Sequence, residues 1–241
     1  MHRKKAKQFR LIIFVILSHD TTMDKNSIQY IFLDLDGTII DSVHGITRSA
    51  AYALEHFGIH VDDLTTLHKF IGPPLKDSFK EFYQMTDEQA DEAIVKYRER
   101  YRTKGIFENT LYPGIEQFLK AAAEAGYKLV LATSKPEPFA KKILEYFNLH
   151  TWFTFVGGCG LDGSKHAKAD VIAYILEELG ITDTRKIVMV GDRKHDVLGA
   201  ATFNIPTVGV LYGYGSAEEL TEAGAVDLVK DTEELTRFFR K

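Results

Sequence analysis

The chain has 241 residues, of which 45% are apolar and 27% charged, as in an ordinary soluble globular protein with one large domain or a domain carrying a smaller insertion. Its net charge is −4, but residues 1–22 hold five basic residues and one acidic residue, so the remainder has 25 basic and 33 acidic residues. That acidic body lacks the basic surface that binds a phosphate backbone, which argues against nucleic-acid polymers as partners.

Residues 1–22 begin with a basic stretch and continue with seven apolar residues at 11–17. Seven residues are too few to cross a bilayer, since a spanning helix needs about 20. The stretch resembles a secretory signal, but no small-x-small cleavage site follows it. Met23 opens a more natural approach to the first strand. We therefore expect an N-terminal extension outside the fold and no stable membrane insertion, with a short membrane-associating tail as the alternative.

The segment 30–41 starts as an apolar run, Tyr30–Leu33, which is typical of a strand buried on both faces. Asp34 and Asp36 follow at once, and both carboxylates share one side of the strand end because Leu35 points the opposite way. A buried parallel strand delivers such residues to the carboxyl edge of its sheet, where open α/β sheets place their ligand crevice. Two acids so close repel each other unless a cation or a proton transfer uses them, which predicts a functional site.

Residues 43–109 carry helical patterns and no strand pattern. A break is forced at Gly72, which two prolines follow, and Thr86 with Gln89 forms a capping-box signature for a long polar helix. The predicted helices lie at about 43–57, 61–71, 75–83 and 87–103. Because this segment lies between strand patterns, we expect it to form an inserted, all-helical cap domain.

From residue 112 onward, apolar strand patterns alternate with helical patterns. Strands are predicted at 128–133, 153–156, 187–190, 206–211 and 227–229, and helices at 113–126, 138–147, 167–179, 217–223 and 232–239. This alternation is typical of a parallel, doubly wound sheet. We therefore expect an α/β fold whose core domain comprises residues 23–42 and 110–241, with residues 43–109 inserted as the cap.

Three of the predicted strands end in polar side chains, namely Asp34 and Asp36, then Thr133 and Ser134, then Asp192 and Asp196. The carboxyl ends of parallel strands meet at one edge, so we expect a single shared site. Carboxylate oxygens suit Mg²⁺, which usually keeps several waters and is completed by a substrate phosphate. A carboxylate can also attack phosphorus and form an aspartyl-phosphate. The pattern therefore indicates phosphoryl-transfer chemistry.

In this order, the motifs resemble those of the haloacid dehalogenase-like superfamily of phosphohydrolases, and the resemblance extends over residues 28–241. They are Asp34-Leu-Asp36-Gly-Thr38, then Thr133, then a lysine, then Gly191-Asp192-x-x-x-Asp196. The resemblance implies a Mg²⁺-dependent phosphomonoester hydrolase that forms an aspartyl-phosphate and acts on a small phosphate ester. Dehalogenases of the superfamily lack an acid at the position of Asp36, so its presence here favours phosphate chemistry.

The resemblance also implies a role for each residue of the first two motifs. Asp34 would be the nucleophile and a magnesium ligand. Asp36 would protonate the leaving oxygen, later activate water, and offer its backbone carbonyl to the metal. Thr133 and the backbone of Ser134 would hold the phosphoryl oxygens.

The remaining motifs supply a metal acid and a lysine. By the resemblance, Asp192 would complete the metal site and Asp196 would support it from close by. Lys168 is the expected phosphate-binding lysine, because it opens a Lys-Ala-Asp-Val-Ile run that resembles the lysine-bearing helix of the family. Lys165 is the alternative.

The helical insert resembles a small cap that closes over small phosphate esters and excludes water. His44, Arg48 and Lys76 are candidate substrate contacts in it. The Phe70–Leu75 loop and the segment 191–196 resemble members described as 5′-nucleotidase-like or phosphoglycolate-phosphatase-like. We expect a nucleoside 5′-monophosphate as substrate. Phosphoglycolate, a phosphomutase reaction of the β-phosphoglucomutase type, and a non-catalytic regulatory module are the alternatives.

Cys159 is the single cysteine, so no internal disulfide can form, and a reducing compartment fits this composition. The residues around it include no obvious base, which favours a packing role over a nucleophilic one. We expect a cytoplasmic protein that is a monomer or a weak dimer, with a small phosphate ester as its partner.

Overall fold

The structure is a computed structural model that describes residue 23 and residues 25–162, 164–165 and 167–240, so the expected extension at 1–22 lies outside the described residues. Its strands are β1 (Tyr30–Leu33), β2 (Ile40–Asp41), β3 (Thr110–Leu111), β4 (Lys128–Pro136), β5 (Phe153–Cys159), β6 (Ile187–Gly191), β7 (Thr207–Val210) and β8 (Asp227–Val229). Its α-helices are α1 (Val43–His56), α2 (Leu75–Tyr83), α3 (Asp87–Tyr101), α4 (Ile115–Glu124), α5 (Glu137–Tyr146), α6 (Lys168–Glu178), α7 (Lys194–Ala201), α8 (Ala217–Ala223) and α9 (Thr232–Phe238).

Six strands form one parallel sheet in the order β5-β4-β1-β6-β7-β8. The central strand β1 is apolar because both of its faces are covered. Ile31 and Leu33 pack into one core cluster, and Phe32 packs into a second cluster with residues of β4, β6 and α6. The structure therefore confirms the predicted α/β fold with a doubly wound parallel sheet.

The register of the sheet brings the polar strand ends to one edge. Leu33, the last residue of β1, pairs with Leu131 of β4 on one side and with Val190 of β6 on the other. The residues that follow these three positions therefore leave the sheet side by side. This placement assembles the predicted acids from segments more than 90 residues apart in the chain.

Residues 43–109, all of which the structure describes, contain helices and no strand. The capping box is present, since Thr86 Oγ1 accepts from the Gln89 amide at 3.3 Å and Gln89 Oε1 accepts from the Thr86 amide at 3.0 Å. The helix expected at 61–71 is instead a shorter 3₁₀ helix, Leu64–Phe70. Asp63 starts this helix by accepting a hydrogen bond from the Thr65 amide, and Asp63 itself keeps an extended backbone, so the helix begins only at Leu64.

Two features of the fold were not predicted. The short strands β2 and β3 pair antiparallel at the two ends of the helical segment, with Ile40 opposite Leu111 and Asp41 opposite Thr110. Helix α7 was also missed, because its first turn is polar and Leu198 is 54% exposed, which leaves only a weak apolar stripe. Within the described residues, no helix has the length and apolar composition needed to cross a membrane.

Candidate active site

A cavity of about 530 Å³ lies between the carboxyl edge of the sheet and the helical segment. On the sheet side it is lined by polar residues, namely Asp34, Asp36, Thr133, Ser134, Lys135 and Lys168. On the opposite side it is lined mainly by apolar and aromatic residues, namely Phe70, Pro73, Leu75, Lys76, Ile94, Val95, Tyr97, Arg98 and Tyr101. The cavity thus combines a compact polar floor with a broad apolar wall, as small-molecule sites commonly do.

Lys168 occupies the centre of the polar floor. Its Nζ lies 2.8 Å from Asp34 Oδ1 and 2.8 Å from Asp196 Oδ1, and it donates to the Ala132 carbonyl at 2.8 Å. Its side chain is 3% exposed, so burial opposes the charge, but the two carboxylates outweigh burial and raise the pKa of Lys168. Lys165 lies elsewhere, with its Nζ 3.6 Å from the centroid of the Tyr174 ring.

Asp34, Asp192 and Asp196 form a cluster in which one oxygen of each carboxylate lies within 4.8 Å of the others. Burial raises the pKa of Asp34 to about 6, although Lys168 opposes this effect. Burial and the neighbouring carboxylates also raise the pKa of Asp192 well above its ordinary value. The cluster therefore concentrates more negative charge than Lys168 alone balances.

The cluster fits a magnesium ion by its donor chemistry. Asp192 is fully buried, and its Oδ2 accepts from the Tyr214 amide at 2.8 Å, while its Oδ1 has no hydrogen-bond partner among the described residues. A buried carboxylate oxygen without a donor is costly unless a cation neutralises it. Three carboxylates that converge from β1, β6 and α7 supply the hard oxygen ligands that Mg²⁺ prefers.

Glycine at position 37 allows the acids to approach this closely. Gly37 has a positive φ of 85°, and a Cβ on it would collide with the Asp192 carboxylate. The turn is held by a hydrogen bond from the Gly37 amide to the Ile40 carbonyl at 2.8 Å. The turn after β1 therefore positions Asp36 and leaves room for Asp192.

Asp36 is paired with a lysine that sequence reasoning missed. Lys135 Nζ lies 2.8 Å from each of the two Asp36 carboxylate oxygens and 5.1 Å from the centroid of the Tyr101 ring. The Lys135 side chain is only 6% exposed, and its ion pair with Asp36 raises the pKa of Lys135 despite burial. The available signal was its position directly after Thr133 and Ser134, but a lysine at a strand end is usually solvated.

Thr133 and Ser134 lie on the floor of the cavity, as expected from their place at the end of β4. Thr133 is 1% exposed, and its Oγ1 accepts from the Lys135 amide at 3.2 Å. Since that bond uses Thr133 as an acceptor, its hydroxyl hydrogen is free to be donated to an oxygen in the cavity.

The three candidate substrate contacts of the helical segment are placed differently from one another. Lys76 lines the cavity, but its Nζ lies 2.8 Å from Asp91 Oδ1, so it is already paired. His44 and Arg48 do not line the cavity, which corrects the expectation for both. Ile46 lines it instead, and positions two residues away on a helix are rotated by about 200° to the other face. Arg48 there pairs with Glu108 at 3.0 Å and is 47% exposed.

Two arginines that received no role from the sequence connect the helical segment to the sheet domain. Arg98 of α3 donates from Nη1 to the Leu161 carbonyl at 2.9 Å and lines the cavity. Arg193, directly after Asp192, donates from Nη1 to the Ile71 carbonyl at 2.8 Å and from Nε to Glu219 at 2.9 Å. Both contacts join residues far apart in the chain, so no local pattern announces them.

Comparisons with family models, with known proteins and with solved structures agree with one another. The family model described as haloacid dehalogenase-like hydrolase matches residues 30–210. The chain is 42% identical over 190 residues to a 5′-nucleotidase of Pseudomonas aeruginosa, and the match covers 79% of this chain and 86% of that protein.

Two further relatives widen this comparison. The chain is also 42% identical over 190 residues to the tyrosine-protein kinase PtkA of Mycobacterium tuberculosis, but the match covers only 64% of that longer protein. Among solved structures, a predicted phosphatase from Clostridium acetobutylicum superposes with a TM-score of 0.85 at 47% identity, covering 88% of this chain and 97% of that one.

We predict that Mg²⁺ raises the melting temperature of the protein, and that the rise is larger at pH 7.5 than at pH 5. The cation binds ionised carboxylates, whereas the pKa of Asp34 is raised to about 6 and that of Asp192 is raised as well, so protons compete at the lower pH. Thermal denaturation with and without Mg²⁺ at both pH values measures the effect.

The control for this prediction is Asp192→Asn, which should lose most of the Mg²⁺-induced shift. Without the cation, the contribution of Asp34 to the free energy of unfolding instead decreases as the pH rises. The reason is that Asp34 binds its proton more tightly in the folded protein, with a pKa of about 6 against an ordinary 3.8. Its contribution to stability is therefore present below about pH 4 and is lost as the pH rises to about 6. A Mg²⁺ shift that is absent, or equal at both pH values, would contradict the assigned cluster.

Proposed function

The chain belongs to the haloacid dehalogenase-like hydrolase family and is a phosphatase, and from this premise we propose that it hydrolyses nucleoside 5′-monophosphates with Mg²⁺ through an aspartyl-phosphate on Asp34. The observation that carries the proposal is the buried cluster of Asp34, Asp192 and Asp196 around Lys168. A non-catalytic regulatory module would have no use for a nucleophile, a lysine and two further buried acids in mutual contact.

In the first step, an oxygen of Asp34 attacks the phosphorus of the ester, and the bond from phosphorus to the leaving oxygen breaks. Asp36, in its protonated form, gives its proton to that oxygen, so the alcohol leaves neutral, and the carboxylate that remains on Asp36 pairs with Lys135. The position of Asp36 two residues after the nucleophile, inside the same cavity, supports this role.

In the second step, water attacks the phosphorus of the aspartyl-phosphate, and Asp36 accepts a proton from that water. The acyl-phosphate bond breaks, which returns Asp34 as a carboxylate and releases inorganic phosphate. One residue thus serves first as acid and then as base, and the ion pair with Lys135 holds its carboxylate in place.

Thr133, Ser134 and Lys168 bind the oxygens of the transferred phosphoryl group. The Thr133 hydroxyl is a donor on the cavity floor, and Lys168, whose ammonium already donates to Asp34, Asp196 and the Ala132 carbonyl, contributes its positive charge; both are fixed before the substrate arrives. Preorganised donors of this kind stabilise charge that develops in the transition state. Asp34, Asp192 and the Asp36 carbonyl would hold Mg²⁺ with Asp196 beside them, and the ion neutralises charge on the phosphoryl oxygens when bound.

We assign residues 43–109 to a cap domain that closes over a core domain of residues 23–42 and 110–241. The short antiparallel pair of β2 and β3 marks its two connections to the core. Because the apolar wall of the cavity comes mostly from this segment, closure brings that wall against the leaving group and excludes water from the floor.

The wall of the cavity supports a nucleotide as the substrate. Phe70, Tyr97, Tyr101 and Phe139 line it, and aromatic rings of this kind pack well against a nucleobase. The cavity volume of about 530 Å³ lies in the range that accommodates drug-sized ligands. This volume is larger than the two-carbon acid of phosphoglycolate needs. The relative named 5′-nucleotidase agrees with this proposal.

Phosphoglycolate is the second candidate, and Arg98 favours it. Arg98 lines the cavity and has no carboxylate within ion-pair distance among the described residues, so its guanidinium could pair with the carboxylate of a glycolate. Lys76 is less suited to that task because Asp91 and Asp87 already neutralise it. The substrate therefore depends on whether Arg98 or the aromatic wall contributes more binding energy.

We predict that the purified protein releases phosphate from p-nitrophenyl phosphate in a Mg²⁺-dependent, chelator-sensitive manner, and that Asp34→Asn abolishes turnover because an amide is a poor nucleophile. Asp36→Asn should lower kcat by roughly two to four orders of magnitude, the usual range for a general acid–base. Steady-state rates measure both effects. Normal turnover in either variant, or activity that survives complete chelation, would overturn the assignment.

A second prediction concerns selectivity. Nucleoside 5′-monophosphates should have a higher kcat/KM than phosphoglycolate, sugar phosphates and phosphotyrosine. Arg98→Gln should then lower kcat/KM for the nucleotide several-fold more than for p-nitrophenyl phosphate, because the ribose and base of a nucleotide offer the Arg98 guanidinium hydrogen-bond acceptors that p-nitrophenol lacks. Steady-state rates across this panel provide the measurement.

The matched control for the selectivity prediction is Arg48→Gln, which changes an exposed arginine outside the cavity. It should leave kcat/KM unchanged for both the nucleotide and p-nitrophenyl phosphate. A preference for phosphoglycolate that Arg98→Gln removes would replace the nucleotide proposal by its alternative. Equal losses on all substrates would show that Arg98 serves only its contact with Leu161.

A further inference from the structure

The loop between β7 and α8 lies against the active site. It contains the sequence Tyr212-Gly213-Tyr214-Gly215. A Cβ on Gly213 would collide with the Asp192 side chain, and a Cβ on Gly215 would collide with the Asp192 backbone. The two glycines therefore allow this loop to lie directly against Asp192.

The backbone of Tyr214 contacts the acidic cluster. Its amide donates to Asp192 Oδ2 at 2.8 Å, and this is the hydrogen bond that orients the buried carboxylate. The opposite oxygen of Asp192 has no hydrogen-bond partner among the described residues. The position of the Tyr214 amide thus determines which oxygen of Asp192 remains available to a cation.

The side chain of Tyr214 contacts the first connection to the cap. Its hydroxyl donates to Asp41 Oδ1 at 2.7 Å and accepts from the Ser42 amide at 2.8 Å. Asp41 is the last residue of β2, and Ser42 directly precedes α1. Both bonds join residues more than 170 positions apart, and Ser42 is fully buried.

The neighbouring Tyr212 contacts the second connection. Its ring centroid lies 4.9 Å from that of Tyr112, which directly follows β3. Its hydroxyl donates at 3.0 Å to the carbonyl of Thr38, in the turn that carries Asp36. The one loop therefore touches both connections of the cap, the turn after β1 and the carboxylate of Asp192.

We propose that Tyr214 is a positioning residue that couples the orientation of the cap to the orientation of Asp192. A movement of the cap displaces Asp41 and Ser42, the phenol ring follows them, and the Tyr214 amide shifts against Asp192. By reciprocity, a cation bound at Asp192 stabilises one orientation of the cap connection. The inference rests on the magnesium site of the proposed function.

Tyr214→Phe tests this coupling, because it removes the hydroxyl and keeps the ring and the amide. We expect isothermal titration to show that the variant binds Mg²⁺ about three- to tenfold more weakly. This range corresponds to a part of the energy of one hydrogen bond to a charged group, since only part of that energy is expected to reach the metal site. In the wild type, Mg²⁺ should slow amide hydrogen exchange in the peptide that spans residues 38–47. In Tyr214→Phe, Mg²⁺ should no longer slow that exchange, a result that mere loss of stability does not produce.

Tyr146→Phe is the matched control, since Tyr146 is 53% exposed on α5 and should leave both measurements unchanged. If Tyr214→Phe does not fold, Asp41→Asn replaces it in the test, because this variant removes the charge of the acceptor and so weakens the same hydrogen bond. It should lower the Mg²⁺ affinity and the slowing of hydrogen exchange in the same direction, but by less. The coupling would be overturned if the folded variant bound Mg²⁺ as tightly as the wild type and showed the same Mg²⁺-dependent slowing of amide hydrogen exchange in the peptide 38–47. A wild type that neither binds Mg²⁺ nor hydrolyses phosphate esters would instead overturn the proposed function.

Discussion

The ammonium of Lys168, held 2.8 Å from both Asp34 and Asp196, is the interaction on which the arrangement of the site depends. Three buried carboxylates cannot share one edge of the sheet without compensating charge. One lysine offsets only part of that charge, and burial, reinforced by the neighbouring carboxylates, raises the pKa of Asp34 and of Asp192. In our proposal, this excess of negative charge is what a divalent cation neutralises when it binds.

The rest of the fold holds this cluster in place. The doubly wound sheet supplies rigid strand ends, so the acids are fixed by the register of β1, β4 and β6. The helical segment 43–109 contributes most of the opposite wall of the cavity, and β2 and β3 pair at its two ends. In our proposal, the chemistry of the floor stays constant, and the wall and its connections determine which ester is accepted and when the site closes.

The sequence alone was sufficient to predict the sheet and the polar residues at the ends of β1, β4 and β6, because each depends on a local pattern. An apolar run followed by Asp34 and Asp36 defines both a buried strand and its functional end. The capping box at Thr86 and Gln89 likewise identified the start of α3 from four residues. Lys168 required the additional resemblance to the family, since spacing alone did not separate it from Lys165.

The missed features depend on contacts between distant segments. The sequence around Lys135 is typical of a solvated lysine, and only the fold shows that its side chain pairs with Asp36. Tyr214 meets the acidic cluster and the cap connection only through long-range hydrogen bonds. Arg48 was chosen as a cation on the first cap helix, but the rotation of that helix turns it away from the cavity. Periodicity predicts which face of a helix is buried, but not which neighbour an exposed residue meets.

The most direct test of the account is to trap the phosphorylated enzyme and locate the phosphate. The protein is mixed with a ³²P-labelled ester and Mg²⁺, quenched in acid during turnover, digested and mapped. The account predicts a hydroxylamine-labile label on the peptide that contains Asp34, present in Asp36→Asn and absent in Asp34→Asn. Turnover without any trapped label, or a label on another residue, would contradict Asp34 as the nucleophile.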